Sequence, residues 1–430
     1  MAPQQQHPER PNVVVVHWHD LGTRLGTYGV DGVPSPAVDR IAAEGVRFDR
    51  AFCATPLCSP ARSALMTGRY PHANGMMGLQ HLGWEYASGV ETIPMHLRTL
   101  GYHSANFGMQ HEASDPTRLG YDEVYEARDP ATGWQRADTV VDEATTWLSA
   151  PDRRREPFLA VVGFFEVHRP YPVELYPPDD PEAVSVPPYL PDNPHTREDL
   201  AAFHGSIRVA DRATGRLVET LRTEGLLDHT WIIFTTDHGM AFPGAKSTLY
   251  DPGIQVALLM RPPDGAAARR EPTDRLAAHV DILPTLIDLA GGQQPRGLHG
   301  VSHAGWLRGE DTRPVRTQVF AEKTYHDAYD PMRAVRTDRW KYIHNAAPGP
   351  RLLLPRDLEA SATRAGMGDA HLTERTTAEV YDLTTDPWER DNLAGRPEVA
   401  DVEAELADTL VRWQRETGDP LLTGPIPAPA

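Results

Sequence analysis

Short apolar segments recur along this 430-residue chain, and each is followed by a polar cluster. Their length and lack of alternation are typical of strands that are buried on both faces of a mostly parallel sheet. Helical periodicity fills the intervals, so the pattern predicts an α/β sandwich. The predicted strands are Val13–Val16, Ser104–Phe107, Phe158–Phe165, Trp231–Thr236 and Gln255–Met260. The predicted helices run from Ser35-Pro36 to about Gly45 and over about Asp138–Leu148, Arg197–Glu224 and Leu276–Leu289.

Metal-ligating and acid–base side chains follow four of the predicted strands. In open parallel sheets, ligands bind outside the carboxyl ends of the strands. These side chains should therefore converge on one polar site at a single edge of the sheet, and their types favour a metal-dependent active site. They are His17, His19 and Asp20 after the first strand, His111 after the second, Glu166 and His168 after the third, and Asp237 and His238 after the fourth.

The pattern changes past about residue 330. Ala334–Ile343 alternates like an antiparallel strand, Glu379–Leu383 reads as its partner, and Val399–Arg415 has the periodicity of an amphipathic helix. We therefore expect a catalytic α/β domain over residues 1–330. A C-terminal α+β subdomain over residues 331–430 would carry a short antiparallel sheet and a terminal helix.

Composition excludes several classes of partner. The net charge of −18 argues against nucleic acid and gives no long-range attraction for anions, so any anion site must be locally basic. Two cysteines cannot form a disulfide framework. Residues 1–11 lack the apolar core of a signal peptide, and no apolar run is long enough to span a membrane. We therefore expect a cytoplasmic protein with no membrane partner. The sequence allows a homo-oligomer but does not determine the oligomeric state.

The run Cys58-Ser59-Pro60-Ala61-Arg62 opens a readable helix. Ser59 suits the N-cap and Pro60 the first helical position. Cys58 would then lie beside free backbone N–H groups at the positive end of the helix, where an anion is readily held. Arg62, one turn further on, would lie on the same side as Cys58.

Together with Thr67-Gly68-Arg69, this run resembles the signature of the type I sulfatases, which belong to the alkaline phosphatase-like superfamily. The resemblance implies an alkaline phosphatase-like α/β/α sandwich with a small C-terminal subdomain. It also implies that a formylglycine-generating enzyme oxidises Cys58 to formylglycine. One hydroxyl of the hydrated aldehyde would attack sulfur, and the other would let the sulfate leave. Tyr381–Leu383 and the residues up to Leu393 resemble a C-terminal segment of the same family.

The resemblance also implies a divalent metal. Asp237-His238 is similar to the family's metal-binding pair, and His19-Asp20 takes the place of its paired aspartates, with Cys58 completing the set. The family usually holds Ca²⁺ through oxygen ligands, but two imidazoles would shift the preference toward Mn²⁺ or Zn²⁺. Alternatively, His19 does not ligate, and the other residues bind the metal with the modified Cys58.

Further roles follow from the resemblance. Catalytic roles are implied for five residues, namely Cys58, Arg62, His111, His168 and Lys246. Met109 takes the place of a sulfate-binding lysine, so one cation is missing, and Gln110 would supply a neutral donor to the substrate instead.

The substrate class rests on weaker signals. Pro71–Met76 and Ala245–Gly253 resemble the sulfamidase (heparan N-sulfatase) branch, in which His72 and Asn74 would read a polar, sugar-like group. We therefore expect hydrolysis of a small sulfuric ester or sulfamate. One alternative is a phosphonate monoester or phosphodiester hydrolase of the same superfamily. A second is a non-catalytic binding protein with an unmodified Cys58, and a third is a transferase with an acceptor other than water.

Overall fold

The structure is a computed structural model that describes residues 10–312 and 316–429. Its strands are β1 Asn12–Trp18, β2 Val46–Phe52, β3 His103–Gly108, β4 Glu123–Tyr125, β5 Phe158–Gly163, β6 Thr230–Thr236, β7 Leu258–Arg261, β8 Thr273–Ala278, β9 Gln318–Tyr325, β10 Tyr329–Thr337, β11 Trp340–Asn345 and β12 Ala378–Asp382. Its α-helices are α1 Pro36–Ala43, α2 Cys58–Thr67, α3 Pro71–Asn74, α4 Ile93–Arg98, α5 Ala137–Leu148, α6 Pro194–Thr223, α7 Asp251–Ile254, α8 Ile282–Leu289, α9 Ala304–Leu307, α10 Arg356–Glu359, α11 Ala362–Ala365 and α12 Ala400–Thr417.

The large sheet has eight strands in the order β4-β3-β5-β1-β6-β7-β2-β8. Strands β4, β3, β5, β1 and β6 pair in parallel, and β2 pairs in parallel with β8. Only β7 runs against its neighbours, β6 and β2. The expectation of a mostly parallel sheet is confirmed, and β1 lies near its centre.

Alternate residues of β1 face two separate hydrophobic cores. Val13 and Val15 belong to one core, which also contains residues of α2, α8 and the small sheet. Val14 and Val16 belong to the other, which is filled from α1, α5 and α6. All four valines are buried, so the strand reads as a continuous apolar run. Helices cover both faces of the sheet, as the α/β/α expectation requires.

Two sequence interpretations on the large sheet were wrong. The predicted helix Leu276–Leu289 begins as strand β8 and becomes α8 only at Ile282. Its apolar residues satisfy either period over so short a stretch. The predicted strand Gln255–Met260 begins at Leu258, because Asp251–Ile254 forms a helical turn just before it. Strands β2, β4 and β8 were not predicted.

The small sheet is an antiparallel meander in the order β12-β11-β10-β9. The alternating run Ala334–Ile343, expected as one strand, is a hairpin that turns at Asp338-Arg339 between β10 and β11. The expected partner strand is present as β12, paired with β11, and the terminal helix is α12. The sheet begins with β9 at Gln318, so its first strand precedes position 330.

The N-terminal segment that bears on targeting lies largely outside the described residues, since the structure begins at residue 10. Among the helices that are described, none is long and apolar enough to cross a membrane.

Candidate active site

The carboxyl ends of β1 and β6 place two acidic residues side by side. These strands are parallel neighbours in register, with Trp18 opposite Thr236. The chain beyond each strand therefore reaches the same edge, where the Asp20 amide donates to Oδ1 of Asp237 over 2.9 Å. Asp20 has a positive φ of 46°, an uncommon backbone conformation for a residue other than glycine. The strand–loop connections thus build the centre of the site.

Helix α2 brings Cys58 to this edge. The helix begins at Cys58 itself with Leu57 at the N-cap, so the expectation that Ser59 caps it was wrong. The Ser59 hydroxyl instead accepts a hydrogen bond from the Gln80 amide over 3.1 Å. The buried Cys58 Sγ lies 3.4 Å from Nε2 of His238.

Five metal-ligating side chains meet here. One donor atom from each lies within 4.8 Å of the others, and every member is buried. Two carboxylates, two imidazoles and a thiol can supply both hard and intermediate ligands to a divalent cation. The members are His19, Asp20, Cys58, Asp237 and His238, as the sequence predicted.

The hydrogen bonds of His238 fit metal ligation. Its Nδ1 lies 2.9 Å from the carbonyl oxygen of Gly239, which can only accept, so Nδ1 carries the proton. Nε2 is then a lone-pair donor, and it lies 3.1 Å from Oδ1 of Asp20. Two electron-rich atoms that face each other call for a cation between them. A backbone carbonyl that fixes the tautomer from behind is typical of metal-binding histidines.

His19 fits two arrangements. Its Nδ1 lies 2.9 Å from Oδ1 of Asp20 and 3.1 Å from Oδ2 of Asp237. Its Nε2 is buried without a hydrogen-bond partner. His19 can therefore ligate a metal, or it can donate from Nδ1 and only orient the two carboxylates.

Lys246 supplies the positive charge beside this group. Its Nζ lies 2.8 Å from Oδ2 of Asp20 and 2.8 Å from Oδ2 of Asp357. The same ammonium lies 3.4 Å from Nε2 of His168. His168 donates from Nδ1 to the Arg169 carbonyl oxygen over 2.5 Å, so its Nε2 is an acceptor that faces Lys246.

Asp357 is a site residue that the sequence interpretation missed. It lies on the short helix α10, more than a hundred residues after Lys246 and between two strands of the small sheet. Its side chain is 20% exposed, whereas that of Lys246 is 1% exposed, so Asp357 lies at the mouth of the site. No local motif marks this position, because only the tertiary fold brings α10 to the large sheet.

Charges within the cluster shift its titrations. Burial alone would raise the pKa of Asp20, but the Lys246 ammonium and neighbouring histidines hold that pKa well below its usual range. Burial opposes a charged Lys246, yet the carboxylates of Asp20 and Asp357 raise its pKa well above normal. Burial also raises the pKa of the Cys58 thiol well above its ordinary value, which leaves the thiol neutral. An unmodified Cys58 is therefore a poor nucleophile here.

Arg62 links the helix to the metal-ligating group. Its Nε donates to Oδ2 of Asp237 over 3.3 Å, and Nη1 donates to the Met109 carbonyl oxygen over 3.4 Å. Nη1 also lies 3.3 Å from Nδ1 of His17, which stands outside the metal-ligating group. Arg62 is buried, and its Nη2 has no hydrogen-bond partner.

His111 closes the far side of the site. Its ring centroid lies 6.1 Å from that of His19, and the exposed His81 stacks on it at 5.9 Å. Its Nδ1 is buried without a partner, and its backbone φ is 62°. Burial and then the neighbouring cations lower the pKa of His111 well below normal, so the ring is neutral.

Three predicted substrate-binding residues have internal partners instead. His72 is bonded through Nδ1 to the Glu322 carboxylate. The Asn74 amide is buried and donates to the hydroxyls of Ser63 and Thr67 over 2.9 and 3.1 Å. Gln110 folds back and donates to the Ala113 carbonyl oxygen over 2.6 Å. These contacts stabilise the loops that carry the three residues, and Nε2 of His72 is buried without a hydrogen-bond partner.

Comparison with known proteins agrees with this geometry. The family model described as Sulfatase matches residues 11–292, and the model described as N-sulphoglucosamine sulphohydrolase, C-terminal, matches residues 238–349. The human protein named N-sulphoglucosamine sulphohydrolase is 27% identical, over 96% of this chain and 92% of the relative. A protein of Formosa agariphila named Ulvan-active sulfatase is also 27% identical, over 96% of this chain and 76% of the relative.

A solved structure shares the fold. The putative sulfatase yidJ from Bacteroides fragilis superimposes with a TM-score of 0.79 over 99% of this chain and 100% of that chain, at 20% identity. The sandwich and its buried cluster of potential metal ligands, cysteine and lysine define a hydrolase of the alkaline phosphatase-like fold. The chain belongs to the sulfatase family, whose members hydrolyse sulfuric esters or sulfamates.

Proposed function

We propose that this protein hydrolyses the sulfamate or sulfuric ester of a sugar through a formylglycine formed from Cys58. One observation carries the proposal: Cys58 Sγ lies in one buried group with Asp20, Asp237 and His238, and Asp20 is ion-paired with Lys246. Such a cluster holds a cation and an anion side by side. A cysteine that only packs in the core would not need these charged neighbours.

A divalent metal completes the site in this proposal. Asp20, Asp237 and His238 would hold it with the modified Cys58, and His19 is the fifth candidate. The orphaned Nε2 of His19 and the lone pair of His238 that faces a carboxylate both support the assignment. When bound, the metal would supply positive charge that stabilises an anionic oxygen of the nucleophile and of the sulfate.

The hydrated aldehyde supplies two geminal hydroxyls, one to attack sulfur and one to expel the sulfate. Arg62 holds Asp237 in place, and its buried Nη2, which has no partner, is assigned to stabilise the nucleophilic oxygen. Lys246 is the donor that stabilises charge on the sulfate oxygens. His111, with an unpartnered Nδ1, takes the proton from the second hydroxyl.

His168 is assigned to the leaving group. Its Nε2 accepts in the resting state, since Nδ1 is engaged by the Arg169 carbonyl oxygen. A proton can reach that Nε2 from Lys246, 3.4 Å away, and pass to the departing oxygen or nitrogen. His168 and Asp357 are both partly exposed, so the leaving group lies on the solvent side of Lys246.

The sugar and the sulfamate linkage are inferred from similarity. The relative named N-sulphoglucosamine sulphohydrolase spans nearly the whole chain, and the matching C-terminal model includes Lys246 and strands β9 to β11. Asp357 at the mouth offers a carboxylate that can accept from sugar hydroxyls or an amine. We therefore place an N-sulfated amino sugar first among the candidates.

A substrate comparison tests the proposal. Protein coexpressed with a formylglycine-generating enzyme would be assayed on glucosamine N-sulfate, glucosamine 6-sulfate and an aryl phosphonate monoester, with Cys58→Ala as the control. The proposal expects the highest kcat/KM on a sulfated sugar and only background turnover by Cys58→Ala. A faster reaction with the phosphonate, or full activity of the Cys58→Ala protein, would overturn it.

A further inference from the structure

A cavity of about 320 Å³ is lined in part by the residues that follow Asp20 and by Met240, two residues after His238. The metal-ligating group, Lys246 and His168 do not line it, so it is separate from the site described above. Its walls come from the residues that follow β1, from Met240, from the segment before α6 and from the segment after β12. Its lining includes Leu21, Arg24, Tyr189, Arg336, Asp251 and Trp388.

Arg24 is a buried cation without an acidic partner. It is 5% exposed, donates from Nε to Nε2 of His204 over 3.1 Å, and donates from Nη2 to the Ser185 carbonyl oxygen over 2.7 Å. Within residues 10–312 and 316–429, no carboxylate lies within ion-pair distance of its guanidinium. A buried charge without a counter-ion is costly, so an anion in the cavity would be strongly favoured.

The neighbours of Arg24 do not neutralise it. Burial and then Arg24 lower the pKa of His204 to about 3, so the imidazole is neutral. Its Nδ1 faces Asp179 at 3.2 Å, but that carboxylate is also bound directly by Arg208. The charge of Asp179 is therefore already paired, and the imidazole ring of His204 separates it from Arg24.

The rest of the lining does not supply a free negative charge. Asp251 is the acidic side chain among the lining residues. Arg336, which also lines the cavity and is 6% exposed, lies 2.9 Å from it, and the buried Lys341 lies 2.5 Å from it. Lys341 also lies 2.7 Å from the buried Glu389, so Arg336 and Lys341 both have carboxylate partners. Arg24 is therefore the lining cation that an anion in the cavity could pair with.

The other walls are apolar and aromatic. The rings of Tyr189 and Trp388 lie 5.7 Å apart, and Trp388 is 39% exposed, unusually so for a tryptophan. Leu21 and Met240 add apolar surface. The volume falls at the lower end of the range of ligand pockets, about 300–1,000 Å³, and an apolar lining with one or two placed charges is typical of them.

We propose that this cavity binds a small aromatic carboxylate, with its carboxylate at Arg24 and its ring against Tyr189 and Trp388. The cavity offers a charged donor in a partly desolvated setting and an aromatic surface for a planar ring. The proposal goes beyond sulfate hydrolysis and does not depend on it, because neither Cys58 nor the metal-ligating group takes part.

The test uses 4-fluorobenzoate and its neutral analogue 4-fluorobenzamide as probes, with binding to the 430-residue protein followed by fluorine NMR. The wild type should bind the carboxylate at least about tenfold more tightly than the amide, because the amide gains no charge-assisted hydrogen bond. Arg24→Met should remove this preference and Arg24→Lys should retain part of it. Equal affinity for the two probes, or no binding of the benzoate, would overturn the proposal.

Two further variants distinguish binding in this cavity from binding in the active site, and one of them also controls for misfolding. Lys246→Met should leave benzoate affinity unchanged, and loss of binding there would place the ligand at the active site and refute the proposal. Trp388→Leu changes an exposed side chain and should fold normally, which melting curves would check. It should weaken both probes by a similar factor. Unchanged affinity in Trp388→Leu would contradict the assigned position of the ring.

Discussion

The ammonium nitrogen of Lys246 lies 2.8 Å from Oδ2 of Asp20, although 225 residues separate them along the chain. Asp20 also faces His238, so one carboxylate joins the metal-ligating side of the site to its anion-binding side. Both residues are buried, which makes their separation insensitive to solvent. This pair fixes where a sulfate group would be held relative to Cys58.

Lys246→Met should lower kcat on a sulfated substrate by about 10²–10³-fold, the usual cost of removing a donor from developing negative charge. The methionine keeps the length and the apolar stem of the side chain. Steady-state kinetics would measure the change, and a melting curve would confirm that the variant is folded. Unchanged kcat would mean that Lys246 only neutralises Asp20 and does not act on the substrate.

Asp357→Asn should reduce kcat/KM by roughly tenfold, since the carboxylate 2.8 Å from Nζ orients Lys246. In a double-mutant cycle, Asp357→Asn should add little to the loss already caused by Lys246→Met, because the two side chains act through one contact. Additive losses would instead show that Asp357 has a separate role, such as direct contact with the sugar.

Removal of the metal with a chelator should abolish turnover and lower the melting temperature, because a cation stabilises the folded state that binds it. Readdition of Ca²⁺, Mn²⁺ and Zn²⁺ one at a time would rank them. His19→Asp should shift the ranking toward Ca²⁺, which prefers oxygen ligands. An identical ranking in the variant would show that His19 does not ligate, and full activity in the chelated protein would contradict a metal site.

The buried pair Arg333 and Asp419 predicts a stability effect at acid pH. Burial alone would raise the pKa of Asp419, but the two hydrogen bonds from Arg333, of 2.6 and 2.9 Å, outweigh it and lower that pKa to about 2. A carboxylate with a depressed pKa stabilises the fold above its unfolded value of 3.8, and this contribution is lost as the pH falls toward 2. Asp419→Asn should therefore cost on the order of 2 kcal/mol at pH 7.

Melting temperatures of wild type and Asp419→Asn, taken at about pH 7, pH 5 and pH 3.5, would test this sign. The difference in melting temperature between the two proteins should be the same at the two higher pH values and smaller at the lowest pH. Asp391→Asn is the matched control, because its partner Arg396 and its own side chain are exposed. Such a surface pair contributes little at any pH. A gap that widens toward acid pH would contradict the assignment.

Much of the fold and site could be predicted from the sequence, because the signals were local. The apolar runs that end near Asp20 and Asp237 are strands in the structure, and the two residues meet since parallel neighbours end at one edge. Cys58 and Arg62 follow from a short motif at a helix start.

The rest depends on contacts that no local pattern encodes. Asp357 reaches Lys246 only because the small sheet packs beside the large one. The side-chain amide of Asn74 donates its hydrogen bonds to Ser63 and Thr67, and sequence spacing alone does not reveal these contacts. The hairpin at Asp338-Arg339 was missed because no glycine or proline marks the turn in the sequence.

The most direct test of the account is the chemical state of Cys58. The tryptic peptide from Ala51 to Arg62 contains both cysteines of the chain, so Cys53 serves as an internal control. For protein coexpressed with a formylglycine-generating enzyme, mass spectrometry should find an aldehyde at Cys58 and an alkylatable thiol at Cys53. An unmodified thiol at Cys58 in a preparation that hydrolyses sulfate substrates at full rate would contradict the account.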